Sequence, residues 1–147
     1  MAIDRKHIGQ ESEDRFLTID KAQLVLFAQA AGETNPVYLD VERAQEAGYP
    51  AIPVPPTFAF SIALLAPAKI GNVADIITNL GGLLHGEQDF QYHRQIFSGD
   101  RVRVKTKTVD IFDKKGGQME FVVQDTNIYN QHDELCVTGR MTLVVRN

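Results

Sequence analysis

Residues 47–69 read AGYPAIPVPPTFAFSIALLAPAK, and this stretch decides how the rest of the chain must fold. No charged residue lies between Ala47 and Ala68, and five of the chain's six prolines, Pro50, Pro53, Pro55, Pro56 and Pro67, fall inside the window. Such an uncharged run is expected to be buried. A membrane helix needs about 20 uninterrupted residues, whereas Pro55-Pro56 blocks helix on one side and Pro67 closes it on the other. The residues left between them, Thr57 to Ala66, are apolar on nearly every face, which predicts a short helix inside the fold with Thr57 as its N-cap. The start of a buried helix carries free N–H groups and partial positive charge, so it can hold an anion or a polarised carbonyl. A plain core helix fits the same pattern.

The composition is that of one ordinary globular domain over residues 1–147, with 44% apolar and 23% charged residues. Fifteen basic against nineteen acidic residues give a net charge of −4, which argues against nucleic acid as the main partner. The opening residues, MAIDRKHIGQESEDR, are too polar for a signal sequence, and Cys136 is a single cysteine with nothing to pair with. A cytoplasmic protein with no membrane span is therefore expected. Arg15 to Ile19 reads as a short strand. Asp20 then caps a helix to about Ala31, with Leu24, Phe27, Ala28 and Ala31 on one face and Gly32 at its end. Glu33 to Asp40 is a turn-rich connection, followed by a brief charged helix from Val41 to Ala47 that stops at Gly48. Residues 70–82 admit one helical turn and no clear period.

From Leu83 onward the period is two. His85 to Arg94 sets Phe90 and Tyr92 against Asp89, Gln91 and His93, and Ser98-Gly99-Asp100 turns the chain. Arg101 to Phe112 places Val102, Val104, Thr106 and Thr108 on one face and Arg101, Arg103, Lys105 and Lys107 on the other, as a half-buried strand does. Beyond Lys114-Lys115-Gly116-Gly117, Gln118 to Tyr129 runs back with Met119, Phe121 and Val123 alternating. After a turn at Asn130 to Asp133, the last strand, Leu135 to Val145, points Leu135, Val137, Met141, Leu143 and Val145 to the core. Tight turns imply antiparallel pairing. The sheet's apolar face needs a cover, and the 57–66 helix is the segment apolar enough to supply it, which gives an α+β fold of a curled antiparallel sheet around one central helix.

Three pieces in this order carry a family resemblance. Ala31-Gly32-Glu33-Thr34-Asn35-Pro36-Val37-Tyr38 stands where the MaoC-like hydratases and dehydratases have Ser-Gly-Asp-x-Asn-Pro-x-His. Gly48 to Thr57 follows at the family's distance. Phe90-Gln91-Tyr92-His93-Arg94 leading to Ser98-Gly99-Asp100-Arg101-Val102 is similar to the strand and turn of the dehydratase domain. The chain thus resembles this superfamily, whose fold is the hot-dog fold, from about Phe16 to Val145. In particular it resembles the amino-terminal dehydratase-like subset, which includes substrate-holding subunits.

The resemblance implies chemistry on 3-hydroxyacyl and 2-enoyl thioesters. One group takes the C2 proton, one protonates the departing hydroxyl, and an N–H steadies the thioester oxygen as it gains charge. In the resembled enzymes an Asp and a His five residues later orient the water and move the protons, while a Gly at the start of the buried helix donates the N–H. The matching positions here are Glu33, Tyr38 and Pro56, and all three differ. Proline has no N–H to donate, and a tyrosine at neutral pH is a hydrogen-bond donor rather than a base. The expected reading is a kept pocket with a degenerate catalytic pair, Glu33 and Tyr38, and with Asn35, Pro56, Thr57, Phe90 and Tyr92 facing the substrate. Asn35 also suits an Asx-type bond that orients the loop.

The expected partners are an acyl-CoA or acyl-carrier thioester and a second hot-dog subunit, as a homodimer or as a heterodimer with a catalytic MaoC-like subunit. No cofactor is expected, and no metal, because His85 and His93 lack a third ligand at metal spacing. The Arg101–Lys107 stripe suits a solvated strand face or the phosphates of coenzyme A. Cys136 lacks an activating neighbour and reads as core. Two other readings stay open: a self-sufficient (R)-specific enoyl hydratase or thioesterase using Glu33, and a non-catalytic acyl-thioester binding module.

Overall fold

The computed structural model describes residues 2–69 and 72–147. Its strands are β1 (Arg15–Thr18), β2 (Leu83–Tyr92), β3 (Arg101–Lys114), β4 (Met119–Tyr129) and β5 (Leu135–Arg146). They form one antiparallel sheet in the order β1-β3-β4-β5-β2. The helices are α1 (Lys21–Ala30), α2 (Val41–Glu46), α3 (Phe58–Leu65) and α4 (Val73–Ile76). The side chains of Asp20 and Asp40 accept the Ala22 and Glu42 N–H groups, so α1 and α2 begin at aspartate caps. Gly32 and Gly48 follow their ends with φ of 74° and 95°, conformations that glycine adopts without strain.

The main core joins α3 to the sheet. Phe58, Ala59 and Ile62 of α3 cluster with Val102 and Val104 of β3, Ile128 of β4, Val137 of β5 and Leu24 of α1. The Phe27 and Phe58 rings meet edge-on at 5.2 Å, which fixes α1 against the first turn of α3.

The structure corrects several expectations. Helix α3 is buried on one side only, with Leu64 and Leu65 exposed, and residues 47–50 of the uncharged run are exposed as well. Thr57 precedes α3 but makes no capping bond with its side chain, and Ala31 is exposed. The turn at Ser98-Gly99-Asp100 does not close a hairpin: β2 pairs with β5 at the far edge of the sheet. The physical reason lies in the proline run. Val54 N–H bonds to the Ile96 carbonyl and Ser98 N–H to the Ile52 carbonyl, so the segment between β2 and β3 is tied to residues 52–54 instead.

Strand β4 also turns the other way. Its buried residues are Glu120, Val122, Gln124 and Ile128, not Met119, Phe121 and Val123. The buried polar groups are paired: Glu120 accepts from Ile3 N–H and Asn147 Nδ2, and Gln124 Nε2 donates to Thr108 Oγ1. On the other face Phe121 stacks on Phe112 at 4.8 Å with the Lys114 ammonium over both rings. The irregular segment holds α4 and a 3-10 turn at Leu80–Gly82, while Ile70 and Gly71 lie outside the described residues.

Candidate functional site

Between α3 and the sheet runs a cavity of about 540 Å³. Its apolar wall includes Ala63 and Leu64 of α3, Phe90 of β2, and Ile128, Met141 and Leu143. A smaller cavity of about 270 Å³ lies at the start of α3, between Val54, Pro55 and Pro56 and the Tyr92-to-Ile96 segment. Ala59 and Val137 line both, so the two adjoin beside the first turn of the helix. Sites of this size and lining suit small apolar ligands.

The first turn of α3 is tightened. Phe58 N–H donates to the Pro55 carbonyl and Phe60 N–H to the Thr57 carbonyl. Among the described residues, no acceptor is found for the N–H groups of Thr57 and Ala59, as helix starts leave several donors unmade. Pro56 therefore removes one donor from this end without emptying it. Its carbonyl accepts the Tyr92 hydroxyl at 2.9 Å, which ties the entrance strand to the helix. Partial desolvation at its hydroxyl pushes Tyr92 above its ordinary value although the residue is largely exposed, so it stays a neutral donor through neutral pH.

The loop after α1 is organised by its own side chains. Glu33 Oε1 accepts the N–H of Thr34 at 3.0 Å and of Asn35 at 2.9 Å, and Asn35 Oδ1 accepts Val37 N–H at the start of a 3-10 turn, Pro36–Tyr38. Burial, then the fields of Glu33 and Tyr49, push the Tyr38 hydroxyl up. Glu33 N–H bonds back to the Ala28 carbonyl, one residue from the Phe27 ring that touches Phe58, so the loop springs from beside the leading end of α3.

Of the residues singled out from sequence, Phe90 lines the larger cavity and Pro56 and Tyr92 the smaller. Phe90 and Tyr92 stack with centroids 5.8 Å apart. Thr57 is exposed at the helix start, and Glu33, Asn35 and Tyr38 line neither cavity within this single chain.

Several lining residues escape a reading of the sequence. Gln124 and Thr126 lie on the face of β4 that the pattern points outward, and Arg15 stands in a charged segment that looks like surface. Gly139 opens the floor of the cavity, since a Cβ there would stand 3.4 Å from Gln88 Nε2 and 3.8 Å from the Phe90 ring. Much of the basic stripe is already engaged, Arg101 by the Phe16 ring. Arg103 pairs with Asp14 and Asp133 and lies over Tyr129, and Lys105 pairs with Glu11. Cys136 is buried, and burial raises its thiol. His85 rests against the Phe60 ring, while His93 bonds to Thr138. Among the described residues no three His, Cys, Asp or Glu side chains gather as metal ligands, and no helix is long and apolar enough to cross a membrane.

Comparison with known proteins gives this site a context. A UPF0336 protein of Streptomyces griseus is 30% identical over 99% of this chain and 97% of its own. The HadBC (3R)-hydroxyacyl-ACP dehydratase complex of Mycobacterium tuberculosis contains a chain that superposes with a TM-score of 0.78 at 22% identity, covering 98% of this chain and 99% of that one. An (R)-hydratase of A. caviae involved in PHA biosynthesis superposes with a TM-score of 0.67 at 21% identity, covering 92% and 94%. The hot-dog fold expected from sequence is thus the fold of these neighbours. Residues 6–139 match the FAS1-like, dehydratase domain region, and the chain belongs to that family.

Proposed function

We propose that this chain is the substrate-holding half of a 3-hydroxyacyl/2-enoyl thioester hydratase or dehydratase, paired with a MaoC-like subunit that supplies the Asp–His acid–base pair. The observation that carries the reading is a cavity of about 540 Å³ running along α3, in a chain whose sequence has Glu33 and Tyr38 at the positions that match that pair in the resembled enzymes. The acyl chain lies under Phe90, and the thioester sits at the start of α3 beside Pro56, Thr57 and Tyr92. The Thr57 and Ala59 N–H groups are the donors available to the thioester oxygen. In the dehydration direction the partner's base takes the C2 proton and its acid delivers a proton to the C3 hydroxyl, which leaves as water.

Pairing is supported by the surface. The outer edge of β2 has no partner strand among the described residues, and Leu64, Leu80, Leu84 and Tyr92 are all more than half exposed. The HadBC neighbour is itself a complex of subunits. A cytoplasmic setting and an acyl-CoA or acyl-carrier substrate belong to this reading.

The test is reconstitution. The purified chain alone is expected to hydrate 2-enoyl-CoA at background rate. Mixed with a MaoC-like subunit that carries the Asp and His, it should form a complex by light scattering and gain about 100-fold or more in rate. Full activity of the chain alone, abolished in Glu33→Gln, would instead establish the self-sufficient enzyme. Binding without turnover beside any such partner would leave a binding module.

Gly139→Val tests the position of the acyl chain. The new side chain meets the flexible end of Gln88 and fills the cavity floor. Affinity for a short acyl-CoA should hold, while that for a long one should fall about tenfold or more, in keeping with the cost of one misfitted methylene group. Equal loss for both lengths would place the chain elsewhere.

A further inference from the structure

Among the described residues lining the larger cavity, Arg15 alone carries a formal charge, and it is 91% buried. Part of its role is structural. Nη1 donates to the carbonyls of Ala66 at 2.6 Å and Ala63 at 3.5 Å, which places positive charge at the C-terminal end of α3. Nη2 donates to Thr106 Oγ1 at 2.6 Å, and that hydroxyl is 2.9 Å from Thr126 Oγ1. Thr106 and Thr126 both line the cavity, and they sit opposite each other on β3 and β4. Capping the helix and binding Thr106 use only the two terminal nitrogens. The Nε–H is buried without an acceptor.

A buried donor left unmade costs free energy that a bound acceptor returns. Burial also lowers the Arg15 pKa, against the opposing field of Glu13. The wall around it is otherwise largely hydrocarbon, and a plain acyl chain offers nothing that this group can use. Arg15 holds the last turn of α3, while the free N–H groups assigned to the thioester oxygen lie at the first. Eight residues of helix separate the two points by about 12 Å.

We propose that Arg15, with the Thr106–Thr126 hydroxyl pair, is a recognition point for an oxygen acceptor carried on the acyl group about one helix length, ~12 Å, from the thioester. The ligand class is then an oxygenated acyl thioester, with a distal carboxylate or hydroxyl, rather than a simple fatty one. This rests on the acyl-thioester reading above and narrows it.

Calorimetric titration of the full chain with three ligands tests it: decanoyl-CoA, ω-hydroxydecanoyl-CoA and the mono-CoA thioester of decanedioic acid. At least one of the oxygenated ligands is expected to bind about tenfold tighter than decanoyl-CoA. Preference for the diacid assigns a carboxylate, and preference for the hydroxy ligand a neutral acceptor. Arg15→Lys keeps the charge and loses Nε–H and the planar fork, so it should bring the three affinities together. If decanoyl-CoA binds as well as or better than both oxygenated ligands, the proposal is overturned and the acyl-thioester reading stands. If none of the three binds, both fall. The comparison in the unsubstituted chain decides the matter even if Arg15→Lys fails to fold.

Discussion

Combining Glu33→Asp with Tyr38→His in this chain is expected to raise its rate on 2-enoyl-CoA by about 100-fold over the parent, the scale of one positioned acid–base group. The parent loop holds two groups ill suited to the task. Glu33 spends Oε1 on the Thr34 and Asn35 N–H groups, and the raised Tyr38 pKa keeps that hydroxyl protonated at any physiological pH. An aspartate can make the same loop bonds on a shorter arm, while an imidazole at position 38 can exchange a proton near neutrality. The signature is a pH profile. In the variant, kcat/KM should increase as pH rises through about 6.5, because the imidazole must be neutral to act as base. A variant that folds like the parent yet stays at background would show that the 33–38 loop does not face the reacting carbon.

The other large effect concerns the helix on which the cavity is built. Phe58→Ala should destabilise the chain by about 3–5 kcal/mol, the range for removing a buried aromatic ring. Phe58 is 4% exposed and joins α1 to the first turn of α3 through Phe27, so the lost volume lies where three elements meet. Given a total stability of about 5–15 kcal/mol for a domain, denaturant melting should show a clearly lowered midpoint with an unchanged slope. Leu26→Ala is the matched control. Leu26 is also an apolar helical residue but is 66% exposed, and its loss should stay within about 0.5 kcal/mol. Similar costs for the two variants would remove α3 from the centre of the core.

The sequence marks its elements most plainly where the cause is local. Asp20 and Asp40 announce helices because a carboxylate takes the N–H two residues on, and Asn35 caps the 3-10 turn in the same way. The alternation of Val102, Val104 and Thr108 marks the buried face of β3 because one face of that strand is charged. Strand β4 misled for the opposite reason. Its two faces are almost equally apolar, and the choice rests on Gln124 and Glu120 finding partners inside and Phe121 finding Phe112 outside.

The candidate site divides along the same line. Phe90, Tyr92 and the double proline were legible because a family pattern and an uncharged run both pointed at them, and all lie at the two cavities. Arg15 and Gly139 were not, since a charge near an acidic segment and a glycine in a strand carry no sign of what faces them. Local chemistry along the chain settled the helices, the strands and the central position of the segment after Pro55-Pro56, because caps, prolines and alternation act over a few residues. The partner of each strand, the inward face of β4 and the guanidinium in the cavity wall depend on contacts between residues as far apart as Arg15 and Thr106, and only the folded chain brings those together.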